Sequence, residues 1–163
     1  MQLLSVKRWR TRSEDPWAKP ISPVSEAQLR RALGNKPEAC ILTEDDGSYV
    51  QIGRSGFCCC VEWCDQNSRK HKRAYQEKPV VPWPGVTSIV FLNGELMLRQ
   101  EEYFSPEQAL EVLLGFLKRR VFPDYVQWRD LTSELESAGF NPFHEKGRND
   151  KSQKPEHRAG RQC

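Results

Sequence analysis

The sequence predicts an α+β domain, an antiparallel sheet of about five strands with one long and one short packed helix. Three observations predict it. Two segments open with helix-capping boxes and carry apolar residues at helical spacing, the middle of the chain alternates apolar and polar residues, and glycine-containing turns separate the alternating runs.

Residues 1–20 mix Arg, Lys, Trp and Pro without periodicity and predict a basic N-terminal arm or an edge strand. A single domain is expected over residues 21–143. In "SPVSEAQLRRALGN", Ser25 is the N-cap, Gln28 completes the capping box, Leu29, Ala32 and Leu33 form one stripe, and Gly34 closes a short helix. "ACILTEDDGSYVQIG" then reads as strand, Asp-Asp-Gly turn and strand, with Tyr49 and Gln51 on one side and Val50 and Ile52 on the other. "FCCCVEWC" continues the meander, followed by a polar stretch over residues 65–78 and a proline-rich link. Asn93-Gly94 between two apolar runs signals a further hairpin.

"FSPEQALEVLLGFLKRR" is the long helix. Ser105 caps it, Pro106 takes the first helical position, Gln108 completes the box, and Glu107 suits the positive end of the dipole. Leu110, Leu113, Leu114 and Leu117 face the sheet, and Lys118, Arg119 and Arg120 suit the negative end. "FPDYVQWRDLTSEL" runs over the sheet edge, and residues 144–163 have the composition of a disordered basic tail.

The 163 residues fit one domain large enough to bury a core without staples. The apolar start lacks the length and cleavage site of a signal peptide, and no run approaches the roughly 18 apolar residues of a membrane helix. A cytoplasmic, non-membrane protein is expected, with its six cysteines as free thiols. The formal charge of +3 is uneven: five basic and two acidic residues in 1–20, five and one in 68–78, six and three in 144–163. The remaining stretches are therefore acidic, which argues against a nucleic-acid-binding face on the folded body.

"GFCCCVEWCDQ" is the one segment that invites a chemical reading. On a strand Phe57, Cys59, Val61 and Trp63 share one face and Cys58, Cys60, Glu62 and Cys64 the other. Thiols divided between two faces do not converge on a metal, which needs ligands around one point at about 2.3 Å for sulfur. Cys60, Cys64 and His71, with a distant Cys40, make the best metal set, and its spacing fits poorly. A catalytic thiol needs a base, and His71 sits in the charged run "RKHKR" while His144 and His157 lie in or beside the tail. Cysteine as a small buried strand residue is the simpler reading, so no catalytic residue, cofactor or metal is expected. "RKHKR" could grip phosphates, but no aromatic interrupts it to stack on a base. Trp63, Trp83 and Trp128 are either packing residues or anchors for a protein partner.

The order of these elements, with "SPVSEAQLRRALGN", "DDGSYVQIG", the Asn-Gly hairpin, "YFSPEQALEVLLGFL" and "FPDYVQWRDLT", resembles the Imm1-type immunity proteins of bacterial polymorphic toxin systems. The likeness spans about residues 22–134 and rests on the Ser-Pro-Glu-Gln-Ala helix ending in Phe-Leu, Pro123 and Trp128. The cysteine run, "GRSG" and the basic tail depart from the family pattern. The resemblance implies a non-enzymatic antitoxin that binds a cognate toxin domain, such as a nuclease or nucleic-acid deaminase, and occludes its active site. On that basis Asp45, Asp46, Glu101, Glu102 and Asp124 are expected to touch the toxin and Trp128 to anchor it. Two rivals stand beside this reading: a thiol or metal enzyme built on Cys58, Cys59, Cys60 and Cys64, and a nucleic-acid accessory protein using "RKHKR" and the tail.

Overall fold

The computed structural model describes residues 2–7, 21–91, 94–141 and 143. The remainder of the expected arm, Asn93 of the hairpin signal and the tail from residue 144 lie outside them. The elements run β1 (Gln2–Lys7), α1 (Glu26–Gly34), β2 (Ala39–Glu44), β3 (Tyr49–Ser55), β4 (Cys58–Asp65), β5 (Lys70–Tyr75), β6 (Val86–Phe91), β7 (Gly94–Arg99), α2 (Pro106–Leu117), β8 (Gln127–Asp130) and α3 (Thr132–Ser137), with a 3-10 turn at Gln100–Glu102. The α+β class with an antiparallel sheet is as expected; the strands are more numerous and differently grouped. Among the described residues six of them form one sheet in the order β1-β2-β3-β4-β5-β8, and β6 pairs with β7 alone.

Both capping boxes form. Ser25 accepts from the Gln28 amide and Ser105 from the Gln108 amide, and each glutamine side chain returns a bond to its cap's backbone N–H. Gly34 ends α1, but the left-handed residue after it is Lys36, at φ 51°. The Asp-Asp-Gly turn places Gly47 at φ 85°, a conformation that glycine adopts without steric cost. β6 and β7 pair in the register of a two-residue connection, Phe91 opposite Gly94.

The helices cover one face of the large sheet. Leu29 and Leu33 of α1 and Ala109, Val112, Leu113 and Phe116 of α2 enclose a core with Leu4, Leu42, Val50, Ile52, Cys59 and Val61. Burying one such aliphatic side chain stabilises by about 1.5–3 kcal/mol, so this layer dominates the fold. The second face carries a smaller cluster of Cys60, Val81, Leu98 and Tyr103, with Cys58 and Leu96 packed against it. Both sides of β4 are thus covered, which is why its sequence is apolar in adjacent positions.

The polar stretch over residues 65–78 is not a solvated loop throughout. Lys70–Tyr75 is β5, an interior strand whose His71, Arg73 and Ala74 are buried. Charged strands evade a pattern search, and this one is tolerated because buried acids meet its cations. The segment expected to run over the sheet edge supplies β8, which pairs with β5, and the short helix α3.

Candidate functional site

The cysteines sit as strand periodicity requires. Cys59 faces the helix-covered core, whereas Cys58 and Cys60 face the second cluster. Phe57 departs from that alternation because it lies in the turn before β4, where it is 87% exposed. All five described cysteines are free thiols. Burial pushes Cys40 and Cys59 up to about 12 and Cys60 well above the ordinary thiol value, and raises Cys58 as well.

Cross-strand register does bring one catalytic-looking set together. Cys64 lies opposite His71 in the β4–β5 ladder, and the His71 Nε2 is 3.1 Å from Glu62 Oε2. The order thiol, imidazole, carboxylate follows the logic of a nucleophile, its base and the base's orienting group. Two features argue against such a role. Cys64 is fully buried and His71 is 2% exposed, and burial pushes the Cys64 thiol up to about 11, where it stays protonated at neutral pH. The His71 Nδ1 has no hydrogen-bond partner among the described residues.

Glu62 belongs instead to a buried charge network on the sheet's second face. It accepts from Gln51 Nε2 at 2.6 Å and from Arg73 Nε and Nη2 at 3.0 and 2.8 Å, besides meeting His71. Burial alone would raise its carboxyl; the His71 hydrogen bond and the Arg73 charge outweigh it and hold the group at about 2. Arg73 also lies 3.6 Å from Glu102, which accepts from Arg129 at 2.9 and 2.7 Å. Arg129 reaches Glu134 of α3 at 2.7 Å. The network clamps β4, β5, β8, α3 and the 3-10 turn.

The charged run "RKHKR" is used up in the same way. The Arg69 guanidinium lies over the Phe143 ring, Lys70 pairs with Asp130 at 2.7 Å, Lys72 sits 4.4 Å from the Trp63 ring centre, and Arg73 pairs with Glu62. Two of the four cations thus meet carboxylates and two lie on aromatic rings.

The six residues expected at a partner surface are not gathered at one place. Asp45 and Asp46 are exposed in the β2–β3 turn. Asp46 accepts from the Ser48 amide at 2.8 Å, from Asn67 at 2.8 Å and from Arg120 at 3.0 Å. Arg120 also pairs with Glu44 and Asp65, so it pins both neighbouring turns to the end of α2. Glu102 is 1% exposed and fully engaged with arginines, so it braces the surface from within. Trp128 is half-buried, packed on Phe122 and Trp63 with ring centres 4.9 and 5.3 Å apart. Its first task is therefore packing.

Glu101 and Asp124 fall on the β8 side of the sheet. Glu101 lines a cleft of about 290 Å³ with Tyr75, Arg99, Glu102, Trp128 and Arg129. Asp124 lines a neighbouring cleft of about 260 Å³ with Gln76, Glu77, Lys78, Tyr125 and Gln127. Tyr125 donates to Glu111 at 2.5 Å and Gln127 to Glu77 at 3.2 Å. None of Glu77, Glu101, Glu111 and Asp124 forms an ion pair among the described residues. β8 is an outer strand of the sheet, with β5 as its one described partner. Reading the sequence missed Glu77, Glu111 and Tyr125; the signal for Glu111 was its place on the outward side of the amphipathic α2.

No model of a known protein family matches the chain, and no curated protein matches it significantly. No described helix is long and apolar enough to cross a membrane.

Proposed function

We propose that the protein is an immunity protein, a non-enzymatic antitoxin that binds a cognate toxin domain and covers its active site in the cytoplasm of the producing cell. The resemblance of the capped helices, the hairpins and the Pro123–Trp128 stretch to Imm1-type proteins supports this reading, as does the antiparallel α+β architecture. The observation that carries it is the rim beside β8. There Glu77, Glu111 and Asp124 form no ion pair among the described residues, surround the 37% exposed Tyr125 and adjoin the outer strand of the sheet. Carboxylates held in this way suit a basic cleft built for a nucleic-acid backbone, where opposite charge speeds encounter and an aromatic anchor prolongs the complex. Glu101 extends the rim, and Asp45 and Asp46 form a second acidic turn.

The test is capture from the native host followed by co-expression. The expected result is one toxic domain, encoded beside this protein, held in a stoichiometric complex and harmless when the two are produced together. Recovery of no such domain, together with no protection in co-expression, contradicts the proposal.

A further inference from the structure

Arg54 stands apart from the other buried charges. Among the described residues Glu62, Asp65, His71, Arg73 and Glu102 are all buried and all engaged with an opposite charge or potential charge, whereas Arg54, 8% exposed, forms no ion pair. Its Nε donates to Gly56 O at 3.0 Å and its Nη1 to Leu33 O, at the end of α1, at a long 3.5 Å. A guanidinium has five N–H groups, so three are left without a bond to the described residues. The exposed Glu107 feels Arg54, but its carboxyl is lowered chiefly by its own backbone amide and Ser105 and only last by Arg54.

These spare donors belong to the wall of a cleft of about 340 Å³, lined by Asn35, Lys36, Pro37, Arg54 and Gly56. That volume lies at the lower end of the roughly 300–1,000 Å³ of small-ligand sites. The wall holds two cations and no acid. Lys36 is kept beside the cleft in a left-handed conformation that a non-glycine residue adopts at a cost. Capping the last carbonyls of α1 explains part of the Arg54 geometry. It leaves the remaining N–H groups turned to the cleft, where an anion can take the place of their water and supply the counter-charge that no described residue provides.

We propose that this cleft binds a small organic anion through a carboxylate or phosphate group. The unused N–H groups of Arg54 meet the oxyanion, since a guanidinium fork suits two oxygens side by side. Lys36 adds the second positive charge, and Pro37 with the open backbone at Gly56 faces the apolar body of the ligand. The site makes no use of the acidic rim and stands independently of the antitoxin reading.

The test is a titration of the full chain, followed by amide NMR at constant ionic strength, with inorganic phosphate, acetate, phenyl phosphate and benzoate in separate arms and chloride as the control. Saturable shifts at the Asn35, Lys36 and Gly56 amides are expected, with the aryl anions binding about tenfold more tightly than the bare ions because they bury a ring. The tighter of the phosphate and carboxylate arms identifies the head group. Lys36→Asn, which removes the charge at an exposed position and tolerates left-handed backbone, should weaken binding about threefold or more while leaving the spectrum otherwise dispersed as before. Arg54→Gln should abolish it. The proposal is overturned by the absence of saturable shifts at those amides, by equal shifts with chloride, or by unchanged affinity in Lys36→Asn.

Discussion

Replacing Glu62 with glutamine keeps the shape of a buried side chain and removes its charge. The carboxylate accepts from Gln51, His71 and twice from Arg73, so the amide end of glutamine must direct a donor at groups that are themselves donors. Arg73, its side chain 8% exposed, is then left with Glu102 at 3.6 Å and the carbonyl of Met97 at 3.2 Å. Breaking a buried pair from one side costs about 3–5 kcal/mol, and the surviving Glu102 places this case near the lower figure. Titration gives a second route to the size of the effect. Glu62 is held at about 2 against an ordinary 4.5, a difference on the order of 3 kcal/mol. Because the folded value is the lower one, this stabilisation is fully present above about 4.5 and is lost as pH falls through about 2. Urea unfolding of both proteins at neutral pH and in steps down to pH 2 reads the gap directly. A gap of about 3 kcal/mol at neutral pH that closes toward zero in acid is expected. A gap below about 1 kcal/mol at neutral pH, or one that persists unchanged in acid, refutes the reasoning.

Three further outcomes follow. A Cβ at Gly115 would collide with the carbonyl of Val121, which the chain brings back over the last turn of α2, so Gly115→Ala should cost about 1–3 kcal/mol and lower Tm by several degrees in a thermal melt. Thiol labelling of the native protein, mapped by mass spectrometry, should modify Cys58, which is half-buried, while Cys40, Cys59, Cys60 and Cys64 react only on unfolding; fast labelling of Cys64 would revive the thiol chemistry set aside above. Replacing Cys64 with alanine should lower stability by about 1–2 kcal/mol in urea without touching protection in co-expression, whereas loss of protection in a stably folded variant would assign that thiol a functional role.

The helices were legible in the sequence because their signals are local. Ser25 with Gln28 and Ser105 with Gln108 each form the bonds their spacing announces, and the leucines of α2 need only a 3.6-residue period to be recognised. Both hairpins were legible for the same reason. What escaped was set by pairing between distant segments. β5 reads as a solvated charge run because its partners, Glu62 eleven residues upstream of Arg73 and Asp130 far downstream of Lys70, are invisible to local periodicity. β6 and β7 read as further strands of one meander, since nothing local says that they leave the main sheet and pack over its second face. The site suffered likewise. Glu101 and Glu102 are adjacent in sequence and line one cleft, yet Glu102 is sealed among arginines whereas Glu101 forms no ion pair among the described residues. Asp45 and Asp46 belong to a turn whose neighbours are fixed by Arg120, about seventy-five residues away along the chain.

If an acidic rim meets a basic partner, the association rate between this protein and the toxin domain captured with it responds to charge. Stopped-flow mixing at rising salt should show a rate that falls at least about tenfold between low and high ionic strength, and that falls comparably at low salt when Glu77, Glu111 and Asp124 are reversed to lysine. A rate indifferent to salt, and unchanged by those three reversals in a folded protein, would contradict it.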